Sequence, residues 1–563
     1  MENLPVEILH RIFDNLDVET LFFSIRPICR YFRSIVHNYD RLKFDLKFIS
    51  KCHFDVLCRL ISPENIRSLT LYNTEQIPDQ ISLFLSRIRL RQLTRLHSIS
   101  LDGIEEAQLN YLFKRINLHY LRSFSLHLTK HDDRRRKTTM NSLSTIVQQS
   151  NLRRIEVQMQ NHRLFEIEWP SNCSIECLIL NGDIDFENLV KIFSCSPQLH
   201  RLIVKQKFSY LNKSNHVKCS FPQLTSLFIE QLNVTIDQLE LFLSLTPSLI
   251  HLKLLGNCEM FDGKRWEDFI QVNLSHLNRF EFDIVSRRSF AQTEEDLDSF
   301  VQSYRSVFWI EYHKWFITSE LDLDDAYSYR IYSIPMFQSS YQYELNSKKI
   351  FLSTSNEICS TTNVSQLDVR CKLFSFTYPD VPSSIDSFFP HLTKLHLYFN
   401  GKISIQCASS LRKMLDVSQL IEVKFENRCF YKGDEDFLCK LLKNLRKSRK
   451  LTSLIVHIRY SQYEIYPHLE TIMELLPTEI NHLKIPIKEA KQIENLLDRC
   501  QHLSIVRFPA KRIQRSMEIK QWFDRNTSGS IYYKSDGCDH IWIGKRNEQF
   551  NPKRIKLTQD EQI

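Results

Sequence analysis

The pattern apolar-x-x-apolar-x-apolar recurs fifteen times in this chain of 563 residues. Copies begin at Ile66, Leu96, Leu121, Leu152, Ile175, Leu199, Leu224, Leu249 and Leu277, and after a gap at Val364, Leu392, Leu420, Leu451, Ile480 and Leu503. Within each block, neighbouring copies lie 23 to 31 residues apart. One copy would say little, since any amphipathic strand could show it. Fifteen at this spacing require an array in which each unit buries its apolar face against its neighbours.

The period is that of leucine-rich repeats. The last two apolar positions alternate, as in a short strand with one buried face. Helix-like stretches such as DFENLVKIFSCSPQL and DQLELFLSLTPSL lie between copies. Pro197, Pro222, Pro247 and Pro390 each stand two residues before the first apolar position, where proline ends the preceding segment and favours extended geometry before it. The expected fold is α/β: an irregular horseshoe with a parallel sheet on its concave face and helices outside. DRLKFDL keeps the register through Arg41, Phe44 and Leu46, and reads as the first strand of the sheet.

Residues 41–286 and 361–510 therefore form two repeat blocks. Between them, 287–360 reads as an irregular β-rich insertion or degenerate repeats. Its runs HKWFITSEL, SYRIYSIPM and KKIFLSTSN are too closely spaced to carry full helices between them. The aromatic cluster Trp309, Tyr312, Trp315 and Phe316 reads as core or as a binding patch. Residues 511–546 read as a cap: a helix stopping near Gly529, then a hairpin about Asp536-Gly537. A polar basic tail, 547–563, follows.

The first forty residues keep a different rhythm. Pro5 suits a first helical turn, and Leu9, Ile12, Phe13 and Leu16 make one apolar face. Asp17 can cap a second helix with Leu21 and Ile25, and Pro27 can open a third with Ile28, Cys29, Phe32 and Ile35. So small a unit is rarely stable alone. It needs a covering surface, either the first repeat of the array or a partner.

Residue order resembles the F-box: Leu-Pro-x-Glu-Ile-Leu from Leu4, then Ile12-Phe13, Leu16-Asp17 and Ile28-Cys29-Arg30-Tyr31-Phe32. An F-box over 1–40 ahead of leucine-rich repeats is the architecture of F-box substrate receptors. The resemblance implies docking on a Skp-type adaptor, and through it on cullin and RING subunits of an SCF-type ubiquitin ligase. By the same resemblance Leu4, Pro5, Ile8, Leu9, Ile12, Phe13, Leu16, Ile28, Cys29 and Phe32 would form the adaptor face, and the repeats would bind an unknown protein substrate. The competing function is a repeat scaffold outside any ligase.

Catalysis finds no support in the residues. H-E-x-x-H, G-x-S-x-G and P-loop motifs are missing, and the nine glycines never stand at phosphate-loop spacing. Neither Cys173 with Cys177 nor Cys538 with His540 has the second pair that a zinc site needs. The expectation is a non-catalytic protein with no metal and no cofactor. A net charge of +8 is too dilute to argue for nucleic acid. No run of about 18 apolar residues suggests a membrane span, and the fifteen scattered cysteines suit a reducing compartment, cytoplasm or nucleus. Lys553, Arg554 and Lys556 in the tail resemble a nuclear import signal.

On each strand, residues beside and between the last two apolar positions face the concave side. Midway through the first block these are Ile179, Ile203 and Phe228, flanked by Leu255. Arg201, Lys205, Glu230, Lys253, Arg279 and Glu281 surround them. An apolar stripe rimmed by charge reads as a substrate surface, with Ile179, Ile203, Phe228, Leu255, Arg201 and Lys253 as its contacts. The alternatives are that the insertion or the tail covers the stripe, or that these residues serve strand propensity.

Overall fold

Each of the fifteen copies places its inner apolar pair on or beside a strand, because alternation buries every second side chain of a pleat. The computed structural model describes residues 4–47, 49–73, 79–130, 135–159, 166–209, 220–258, 262–286, 294–322, 329–344, 349–355, 363–371, 389–399, 417–429, 434–446, 448, 450–460, 469–485, 487, 490–500, 502–509, 513–535 and 538–546. Helices α1 (Val6–Phe13), α2 (Arg30–Asn38) and α3 (Lys51–Leu60) open the chain around a π-helical segment, Thr20–Ile25.

The first block supplies β1 (Leu42–Asp45), β2 (Ile66–Tyr72), β3 (Ser98–Glu105), β4 (Ser123–Lys130), β5 (Arg154–Gln158), β6 (Cys177–Asn181), β7 (Ile184–Asp185), β8 (Arg201–Ser209), β9 (Ser226–Asn233), β10 (His251–Asn257) and β11 (Arg279–Ser286). Four more strands follow: β12 (Phe316–Asp322), β13 (Tyr329–Ile334), β14 (Ser340–Glu344) and β15 (Lys349–Ser353). The second block supplies β16 (Gln366–Cys371), β17 (Lys394–Phe399), β18 (Glu422–Cys429), β19 (Ser453–Tyr460), β20 (His482–Lys484) and β21 (Ile505–Pro509). The end of the chain adds β22 (Thr527–Ser528), β23 (Ile531–Ser535), β24 (Cys538–Trp542) and β25 (Lys545–Arg546).

Among the described residues these make two large sheets and a small β22–β25 pair. The first, of fourteen strands, runs β1 to β6, β8 to β11, then β13, β12 and β15, with β7 beside β8. The second, of nine, runs β14, β16 to β21, β24 and β23. Register follows the repeat. Phe44, Leu69, Ile99, Phe124, Ile155, Leu178, Leu202, Leu227, Leu252 and Phe280 are successive partners in one buried row. Gly103, at φ +81, sits where the β3–β4 register shifts and lies against Asn73, whose carbonyl oxygen would be 2.4 Å from a Cβ.

The parallel order breaks within 287–360. β13 pairs antiparallel with β11 and β12, and β12 antiparallel with β15. The one horseshoe expected from sequence is thus two sheets. Arg330 pins the seam between them. Its guanidinium grips Asp283 of β11 at 2.7 and 2.5 Å and lies over Tyr332 and, from the second sheet, Tyr341. Trp309 and Trp315 of the aromatic cluster are buried against Phe280, while Tyr312 is exposed.

The two ends of the array meet. Trp542 Nε1 donates to the Ile49 carbonyl oxygen at 3.0 Å, its ring sits 5.5 Å from Phe54, and Lys51 Nζ lies over it. Trp542 and Ile505 belong to the hydrophobic core of the first block, not the second. Helix Ile513–Asn526 precedes Gly529 at φ +76, and β23–β24 form the hairpin. The turn at Asp536-Gly537 lies outside the described residues.

Candidate functional site: two interaction surfaces

Helix α1 is apolar on two adjacent rows, and only one of them is covered. Leu9 and Phe13 are 0% and 2% exposed, whereas Ile8 and Ile12 are 40% and 39% exposed. Phe32 of α2 is 3% exposed, and Ile28, just before α2, is 59% exposed. Leu9, Phe13 and Phe32, expected at the adaptor face, are therefore corrected. They pack the helices together, and a side chain already in the core cannot also meet a partner. Pro5, Ile8, Ile12 and Ile28 are outside, and Leu4, Leu16 and Cys29 are half-buried. Val6 and Tyr31, which the sequence reading passed over, are exposed beside them. Being polar-tipped or at the helix start, they carried no periodic signal.

The helical unit is fastened to the array without a spacer. Asp14, just past α1, accepts from Tyr39 Oη at 2.5 Å and pairs with Arg41 at 3.0 Å, and its carbonyl oxygen accepts from Lys43 at 2.9 Å. Burial, then the hydrogen bond to Asp14, pushes the Tyr39 hydroxyl well above its ordinary range. Glu19 pairs with His53 of α3 at 2.8 Å, and that ring stacks on Phe23. Asp17 bonds the Thr20 backbone at 2.7 Å, the cap expected there. Pro27 falls where the π-helical segment ends.

The central concave stripe is largely closed. Ile179 and Ile203 are buried. Lys205 of β8 reaches Glu156 of β5 at 2.6 Å, across the strand between them that carries Ile179. Phe228 lies edge-on to Phe337, from the β13–β14 connection, at 6.1 Å. Lys253 sits over the same Phe337 ring at 4.9 Å, and Gln338 bonds Asp283 at 2.5 Å. Leu255 is half-buried and Arg201 exposed. The insertion thus covers much of the stripe, the alternative its residues left open. Glu281 beside it carries His251, Lys253 and Arg279 at 3.0, 2.6 and 2.9 Å. Burial alone would raise its pKa, but those hydrogen bonds win and hold it at about 2. Phe228→Ala and Phe337→Ala should be coupled by about 0.5–1.5 kcal/mol in a double-mutant cycle read by denaturant unfolding. Additive effects would mean that the rings do not pack.

The second block's concave face is ionic. His396 is bracketed by Asp368 at 2.9 Å and Glu422 at 3.3 Å. Those bonds, Asp368 first, raise its pKa to about 9 against burial. His482 is pushed the other way, to about 4, by burial first and then by Arg507. From an ordinary value of 6.5, His396 contributes stability that is complete below pH 6.5 and lost as pH rises towards 9. His482, neutral in the fold, contributes above pH 6.5 and its share is lost as pH falls towards 4. Melting temperature should peak near pH 6.5. His396→Gln should flatten the alkaline limb and His482→Gln the acid limb. Unchanged limbs in both variants would refute the assignment.

Among the described residues no three His, Cys, Asp or Glu side chains gather as metal ligands, and no helix is long and apolar enough to cross a membrane. Lys553, Arg554 and Lys556 lie outside the described residues.

Residues 1–44 match the F-box domain. No curated protein matches the chain. Among solved structures the chain is similar to an internalin from Listeria monocytogenes, at 13% identity and a TM-score of 0.24, over 77% of this chain and 94% of that one.

Proposed function

We propose that this chain, an F-box domain joined directly to a leucine-rich-repeat array, is the substrate-recognition subunit of an SCF-type cullin-RING ubiquitin ligase. The observation that carries the reading is the split face of α1. Leu9 and Phe13 satisfy the unit's own core, and Ile8, Ile12 and Ile28 remain as an apolar surface that the array does not cover. A Skp-type adaptor covers it in this reading and brings the cullin and RING subunits. The array holds a protein substrate, and the ubiquitin chemistry belongs to the other subunits, so this chain acts as a non-catalytic receptor. Lys553, Arg554 and Lys556 act as a nuclear import signal, which would give the receptor access to both cytoplasm and nucleus.

Co-expression with a Skp-type adaptor tests the reading. A one-to-one complex that survives size exclusion and then captures a cullin supports it. An intact, folded chain that elutes free of adaptor would instead favour a repeat scaffold outside any ligase.

A further inference from the structure

Successive units are tied together along the edge where the chain enters the sheet. There His97 N donates to Arg67 O, Arg122 N to His97 O, Arg153 N to Arg122 O and Glu176 N to Arg153 O, and the ladder runs on to Asn278. The second block repeats it from Ser365 to Ser504. From Glu176 onward neither ladder carries a lysine or an arginine. The cations gather at the beginning. The segments that lead into β3 and β4 add Arg89, Arg91, Lys114 and Arg115 to Arg67 and Arg122. All six are exposed, and none has a carboxylate partner among the described residues. The whole-chain charge of +8 conceals this patch, because it averages over both blocks.

Little opposes these cations. Of the carboxylates on the same edge, Asp40 is taken by Arg95 at 3.0 Å and Glu176 by Arg153 at 3.3 Å, which leaves Glu64. Asp102 lies about 16 Å along β3 from His97. Asp45, level with Thr70, and Glu156 are about 10 Å along their strands from Arg67 and Arg153, and Lys205 takes Glu156. The screening length at physiological salt is about 8 Å. Flat rings alternate with the cations. Tyr120, 50% exposed, is stacked on the His97 ring at 6.3 Å and edge-on to His119 at 5.0 Å. Tyr111, 42% exposed, carries the Arg115 guanidinium over its ring at 3.6 Å.

We propose that this edge binds single-stranded nucleic acid, with phosphates on Arg67, Arg89, Arg91 and Arg122 and an unpaired base stacked on Tyr120. Unpaired guanidinium groups supply affinity for a phosphate backbone without regard to sequence. An exposed ring supplies a face on which any unpaired base can stack. An acidic polypeptide would use the cations but leave Tyr120 idle, and the bases of a duplex are already stacked on one another. This binding does not depend on the receptor reading. It gives the units nearest the F-box a ligand of their own, apart from the closed central stripe.

The test is fluorescence anisotropy of the full chain with labelled twelve-nucleotide oligo-rU and oligo-dT, the two arms separating RNA from DNA, and with an oligoglutamate of equal charge. At least one oligonucleotide should bind, more tightly than oligoglutamate, and weaken as salt rises. Arg67→Gln with Arg122→Gln should weaken it at least ~10-fold and flatten the slope of log affinity against log salt by about 1.4. Tyr120→Ala should weaken it at least ~5-fold with the salt slope unchanged, since it removes stacking and no charge. Lys443→Gln with Arg446→Gln, both exposed on the second block, should change nothing. The altered side chains are exposed or half-exposed, and melting temperature checks that each variant is folded. No oligonucleotide binding at low salt, oligoglutamate binding as tightly, or insensitivity to Tyr120→Ala would each overturn the proposal. Adaptor capture is read separately, so either result can fail without the other.

Discussion

A chain carrying Ile8→Asp and Ile12→Asp is expected to lose at least ~100-fold in affinity for a Skp-type adaptor while melting at the temperature of the unaltered protein. Both isoleucines are about two-fifths exposed in the free chain, so a carboxylate at either position remains solvated. In a complex the same two positions would be desolvated, and a buried unpaired carboxylate opposes association by several kcal/mol. Leu9→Asp places the same charge one residue along, in the core, and should unfold the helical unit outright. The contrast separates surface from support. Isothermal titration against purified adaptor, with circular dichroism on the same samples, reads both. Adaptor affinity unchanged in the double variant would remove the α1 surface from the interface.

Trp542→Ala is expected to destabilise the protein by about 3–5 kcal/mol, the usual cost of truncating a large buried aromatic. The indole is fully buried, and it supplies a hydrogen bond to the Ile49 carbonyl oxygen. Its loss would also uncover Phe54 and the stem of Lys51. The informative readout is where the effect appears. Amide exchange should speed up in β1, β2 and α3, far from the substitution in sequence. Trp522→Ala, on a half-buried face of helix Ile513–Asn526, should leave those amides alone. If Trp542→Ala changes exchange only in β23 and β24, the two ends are not joined.

The strands were legible because each depends on a local signal: two apolar residues separated by one, repeated at a fixed period. Leu227 and Ile229 can be read as inward-facing without knowing their neighbours. The split of α1 was not legible. Ile8 with Ile12 and Leu9 with Phe13 are both i, i+4 pairs, and a helix apolar on two adjacent rows does not declare which row is covered. Nor could the sequence reveal that Phe337 closes over Phe228. That contact comes from a connection outside the repeat, 109 residues away, and no periodicity bears on it. The Trp542–Ile49 contact is the extreme case, since Trp542 lies in the cap beyond the repeats and Ile49 is 493 residues away from it.

The separation of that last pair, 493 residues, has a consequence in time. Ribosomes add about 5–20 residues per second, so Ile49 and Phe54 wait roughly 25–100 s for the indole that covers them. During that wait the helical unit and its first repeat present an open apolar end to the cell. The surface proposed to meet an adaptor is thus made long before the repeat that supports it is closed by Trp542.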